Sequence, residues 1–150
     1  MNKPFQRLGS KSNAQAGRDF EIAAQKFFAS EGLVLERDVK VPVGVESFKK
    51  DHAFDLGCLS KKVLVECKSH KWTAGGNVPS AKLAVWNEAM YLFVASPNEY
   101  RKIMFVLYDK SDKKGESLAK YYLRIYSHLV PSDVEFWEYN ELKMVANRLV

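Results

Sequence analysis

The chain has 150 residues, 47% of them hydrophobic and 13% aromatic, which suits one domain with a full core and leaves little room for a second. Its 27% charged content excludes a disordered composition, and no apolar run nears the ~20 residues of a membrane helix. Lys and Arg number 23 against 18 acids, a net of +5 that suits a polyphosphate partner without demanding one.

Residues 1–12 are polar and basic and are expected to form a loose arm. They lack the apolar core of a signal peptide, so the expected compartment is the cytoplasm and no membrane is involved. Residues 13–31 predict a helix, with Ala16, Phe20, Ala23 and Phe27 at the required spacing, Asn13 as its cap and Gly32 as its end. Three strands follow, near 33–43, 52–59 and 62–69, the last two separated by Ser60 and Lys61 as in a tight hairpin. A Gly- and Asn-rich loop leads to a second helix over 80–95, capped near Ser80, with Leu83, Trp86, Met90 and Phe93 on its apolar stripe. IMFVLYD at 103–109 reads as a buried strand, KSDKKG as a turn, ESLAKYYLRIYSH as a third helix and VEFWEYN at 134–140 as a late strand. The last ten residues carry no clear pattern. The core order αβββαβ predicts an α/β fold, a mixed sheet flanked by helices. Cys58 and Cys67 match neither a disulfide framework nor zinc-ligand spacing, so reduced thiols are expected.

The hairpin carries the chemistry. Strand alternation puts Phe54, Leu56 and Cys58 on one face, with Ala53, Asp55, Gly57 and Leu59 on the other. In the next strand Glu66 and Lys68 share a face opposite Val65 and Cys67. A turn at Ser60 and Lys61 brings Asp55 directly across from Glu66, with Cβ atoms ~4.5–5.5 Å apart. Two opposed carboxylates are unfavourable unless a cation lies between them, and hard oxygen donors suit Mg²⁺. The Cys67 carbonyl adds a possible ligand, and Lys68 lies where an ammonium can orient or deprotonate an attacking water. The plain alternative is a solvated surface hairpin; the apolar neighbours Ala53, Leu59 and Leu64 favour a covered face instead.

FDLGCLSKKVLVECKSH resembles the core of the PD-(D/E)XK nuclease superfamily, the restriction-endonuclease-like fold. Asp55, ten intervening residues and Glu66-Cys67-Lys68 match its Asp…(Asp/Glu)-X-Lys signature, while Phe54 stands where the family often carries Pro. With the αβββαβ order, the resemblance spans roughly residues 13–109. It implies phosphodiester cleavage dependent on Mg²⁺, with Mn²⁺ as a substitute. Asp55 and Glu66 would be the metal ligands and Lys68 the catalytic lysine. The family often places a helix acid beside the metal pair, and Glu21 matches that position, bordering Ala24 and Phe28. The first helix is then expected to cover the face bearing Asp55 and Glu66, and the second helix the opposite apolar face. The alternative for Glu21 is an exposed pair with Arg18 or Lys26.

Nucleic-acid contacts are expected from several places. His70 shares strand parity with Lys68, whereas His52 has the wrong parity for the site and reads as structural. The loop after the third strand carries Lys71, Trp72, Asn77 and Lys82; it can cradle a phosphate or stack Trp72 on a base, or simply connect two elements with its Trp in the core. Lys49 and Lys50 at a hairpin end are expected to meet phosphates without reading sequence. The leading expectation is a small DNA endonuclease of restriction, homing or junction-cleaving type. It would work as a homodimer or higher symmetric assembly, with residues 110–150 as recognition or oligomerisation material. A non-catalytic DNA-binding protein on the same fold, or an inert structural cation site, are the alternatives.

Overall fold

Helix α1 (Asn13–Ser30) starts where a side chain can satisfy its free amides. Ser12, rather than Asn13, is the cap and accepts the Gln15 N–H at 3.2 Å. The computed structural model describes residues 12–150, so the arm expected over 1–12 lies outside the described residues apart from this cap. After α1, Gly32 adopts φ 86°, a left-handed conformation that suits glycine, and the helix ends there.

The next elements are β1 (Glu36–Val43), β2 (Lys50–Cys58), β3 (Val63–Lys68), α2 (Ser80–Ala95) and β4 (Arg101–Leu107), which is the expected αβββαβ order. A short hairpin, β5 (Lys110–Ser111) and β6 (Glu116–Ser117), leads to α3 (Leu118–Tyr126), β7 (Val134–Asn140) and β8 (Val145–Arg148). Six strands form one sheet in the order β1-β2-β3-β4-β7-β8. β3, β4 and β7 run parallel, while β1, β2 and β8 are joined antiparallel. The protein is thus α/β, with a mixed six-stranded sheet flanked by helices. Among the described residues no helix is long and apolar enough to cross a membrane.

Each face of the sheet has its own core. Phe20, Ala24 and Phe28 of α1 pack on Leu56, Val65 and Phe105. Leu83, Trp86 and Phe93 of α2 pack on Phe54, Leu64 and Met104. Each large side chain so buried contributes on the order of 1.5–3 kcal/mol. β4 lies between both cores, which is why its sequence is apolar without alternation.

Two expectations are corrected. α1 covers the Val63–Val65–Cys67 face and α2 the Leu64 face, the reverse of the assignment made from Asp55 and Glu66. α2 is the crossover between parallel β3 and β4 and occupies one face, which leaves α1 the other. Part of the segment expected to serve recognition or oligomerisation is core: Leu118, Ala119, Tyr122 and Phe136 are wholly buried, and the FWEY run belongs to β7 between β4 and β8. The pattern at 134–140 is that of a core strand whose aromatics face the two cores, so most of this run is unavailable to a partner.

Candidate active site

The β2–β3 register is the expected one: Leu56 pairs with Val65, Gly57 with Leu64 and Cys58 with Val63. The connection, however, is four residues rather than two, with the Lys62 N–H donating to the Leu59 carbonyl at 3.3 Å and Lys62 at φ 55°. Lengthening the turn equally on both sides leaves the register unchanged. Continued one step, it sets Asp55 opposite Glu66, but the ladder stops at Leu56 and Val65.

At that step the alternation of β2 breaks. Phe54 stacks on Phe93 of α2 at 5.5 Å, whereas Leu56 belongs to the core under α1. β1 changes face with it: Arg37 reaches Glu21 on α1, Val39 joins the α2-side core, and Asp38 between them has φ 54°. The expected common face of Phe54, Leu56 and Cys58 is therefore wrong. Asp55 sits at the break and turns into the gap between the strands, where its Oδ2 accepts the Cys67 backbone N–H at 2.8 Å.

Glu66 is nearly enclosed, with Oε1 3.4 Å from His52 Nε2 and Oε2 3.7 Å from Lys68 Nζ. His52, which strand parity had excluded, thus belongs to the site, because the change of face at Asp55 restores it to the side of Glu66. The Cys67 side chain points into the core under α1, and burial pushes its thiol pKa well up. A strand residue directs its N–H and C=O to the same side. With its N–H on Asp55, Cys67 therefore presents its carbonyl to the same gap. Glu21 enters from α1, held by the Arg37 guanidinium at 3.0 Å rather than by Arg18 or Lys26.

The Asp55 carboxyl pKa is raised to about 7. Burial is the main cause and the Glu66 charge the next; the Cys67 N–H bond opposes them, Glu21 adds to the rise, and Lys68 offsets part of it. His52 is raised by its hydrogen bond to Glu66 against the pull of burial. An Asp that resists ionisation beside a second carboxylate is a position a cation would relieve. Among the described residues no three His, Cys, Asp or Glu side chains form a metal-holding group. The donors are a carboxylate pair and a backbone carbonyl, all hard oxygens. That set fits Mg²⁺, which commonly takes one or two carboxylates and retains several waters.

A cavity of about 490 Å³ opens beside the gap, and Glu21, Asp55, Lys68, His70, Lys71 and Lys82 are among its lining residues. His70 Nδ1 accepts the Trp86 indole N–H at 2.8 Å. Burial, aided by the Lys68 and Lys82 charges, lowers the His70 pKa to about 4. Trp72 is buried with its ring against Tyr121 at 5.2 Å, and its backbone N–H donates to Asp109 Oδ2 at 2.9 Å. It walls the cavity and is not available as a platform for a base. Asn77 closes the loop on Thr73 through its N–H at 2.9 Å and its carbonyl at 3.1 Å, outside the cavity wall. Lys49 donates to the Gly44 carbonyl at 2.7 Å, and Lys50 begins β2; both lie at the far end of that strand from Asp55. The structure thus brings together Glu21, Asp55, Glu66, Cys67, Lys68, His70, Lys71 and Lys82, adds His52, and leaves Lys49, Lys50 and Asn77 outside. The chain matches no protein-family model, no curated protein and no solved structure.

Proposed function

We propose that the protein is a Mg²⁺-dependent DNA endonuclease of the PD-(D/E)XK type, with a restriction-endonuclease-like core. The observation that carries this reading is the meeting of Asp55, Glu66 and Lys68 at the fork between β2 and β3, beside a lysine-lined cavity. Asp55, Glu66 and the Cys67 carbonyl would hold the cation. When bound, Mg²⁺ supplies water activation and neutralises charge developing on the phosphate. The Lys68 ammonium, 3.7 Å from Glu66, orients the attacking water and offsets charge in the transition state. Glu21 lines the same cavity from α1, where its carboxylate would hold a water. Lys71 and Lys82 attract the backbone of the nucleic acid without reading its sequence. One such site cuts one strand, so a double-strand break requires two copies of the chain, most simply a symmetric dimer.

The test is cleavage of supercoiled plasmid with Mg²⁺, with EDTA, and with Lys68→Ala. Nicking or linearisation that needs both Mg²⁺ and Lys68 supports the proposal. A Mg²⁺-saturated wild-type protein inert on duplex, single-stranded and branched DNA would falsify it.

A further inference from the structure

The imidazole of His70 is held in a single protonation state by a neighbour that can only donate. The indole N–H of Trp86 has no acceptor function. Trp86 is wholly buried, and its Nε1 lies 2.8 Å from His70 Nδ1. Nδ1 must therefore offer its lone pair, which leaves the ring proton on Nε2. The other tautomer would set two N–H groups against each other, and so would the imidazolium. The imidazolium would also bring a third positive charge into a wall that already holds Lys68 and Lys82, and burial with those charges keeps the pKa near 4. At neutral pH His70 thus presents an N–H donor at Nε2 while its Nδ1 lone pair is held by Trp86.

We propose that His70 is a neutral hydrogen-bond donor to a phosphodiester oxygen of the substrate, with Lys82 supplying the charge beside it. The inference rests on the nuclease reading of the site and adds a second phosphate seat to it. The cavity is lined by groups of opposite character. Asp55 and Glu21 repel an anion, while Lys71 and Lys82, with Lys82 acting directly on His70, attract one. The diester seated at His70 is therefore a neighbour of the one being cut. A fixed neutral donor suits an internal diester, whose oxygens share one negative charge and need donors more than further cations.

The ¹⁵N–¹H spectrum of the full chain reads the His70 tautomer directly, and titration with a thymidine dinucleotide in EDTA reads the seat without metal or turnover. We expect the Nε2–H form throughout pH 6–8, a shift of its Nε2 resonance on adding the dinucleotide, and loss of that shift in Lys82→Ala. In DNA cleavage, His70→Ala should raise KM about tenfold with kcat within about threefold of wild type. His70→Gln keeps a donor and can still accept from Trp86, so its KM should stay near wild type and cover the case in which His70→Ala does not fold. An Nδ1–H or doubly protonated ring at pH 7, or unchanged KM in His70→Ala, overturns the inference. DNA cleavage by wild type with no response of His70 to dinucleotide sinks this inference alone. A His70 response in a protein that cuts no DNA leaves the seat standing and removes the nuclease reading.

Discussion

Asp55 completes with its side chain a hydrogen bond that the departing strand leaves open: its Oδ2 accepts the Cys67 backbone N–H at 2.8 Å, one step beyond the last β2–β3 pair. The contact fixes a carboxylate in the gap between the strands. It also aligns the Cys67 carbonyl with that carboxylate, so one bond positions two of the three oxygen donors assigned to the cation.

The raised pKa of Asp55 makes stability depend on pH in a defined direction. Between the ordinary carboxylate value and about 7 the folded protein holds a proton that the unfolded chain has released. Metal-free stability should therefore fall as pH rises through that window and level off above it. Asp55→Asn keeps an acceptor for the Cys67 N–H and removes the charge. It should flatten this slope, be more stable than wild type at pH 8 by roughly 1 kcal/mol or more, and cut no DNA. Parallel melting curves for the two proteins from pH 4 to 8 would show that Asp55 is an ordinary carboxylate.

Mg²⁺ competes with that same proton. Millimolar Mg²⁺ should raise the melting temperature of the wild type, more at pH 8 than at pH 6, and Asp55→Asn should lose most of the effect. Equal stabilisation of both proteins at both pH values would place the ion elsewhere.

The lysines lining the cavity should separate in kinetics. Lys68→Ala is expected to lower the cleavage rate by about 100-fold with little change in DNA affinity, since its contribution is made in the transition state. Lys71→Ala with Lys82→Ala should do the reverse, weakening binding and reducing its salt dependence by roughly one phosphate contact per lysine. Lys49→Ala with Lys50→Ala, at the far end of β2, should change affinity less than the Lys71 and Lys82 pair. Binding titrations over a range of salt, beside single-turnover rates, decide the division.

Glu21→Gln tests the acid that α1 contributes. The variant should fold, because its ion pair with Arg37 is partly exposed and worth at most about 1 kcal/mol. Cleavage should drop by at least ~10-fold, equivalent to ~1.4 kcal/mol of barrier. Wild-type rates would reduce the site to Asp55, Glu66 and Lys68.

Gly57 lets the hairpin close. A Cβ there would lie 2.7 Å from the Val63 carbonyl oxygen and 3.1 Å from Val39 Cβ. Gly57→Ala should cost about 1–3 kcal/mol by overpacking, measured by urea denaturation, and should loosen the β2–β3 pairing next to Asp55. A variant as stable as wild type would mean that β1 and β3 yield at this position without cost.

The sequence by itself determined the element order through β4 and the β2–β3 register, which stops one step short of Asp55 and Glu66. Both follow from local rules: apolar periodicity marks helix and strand, and a short connection sets a hairpin register even when its length is misjudged by two symmetric residues. Alternation failed at Asp55, because β1 and β2 change face together around Asp38, and no local pattern records a change shared by two strands. Only the tertiary structure decided which helix covers which face, that His52 reaches Glu66, and that Lys82 and His70 line one cavity with Asp55. The burial of Trp72 and the place of β7 inside the sheet were settled there too. An aromatic run reads alike as interface or as core until the surfaces that cover it are known, and those surfaces come from residues distant in the chain.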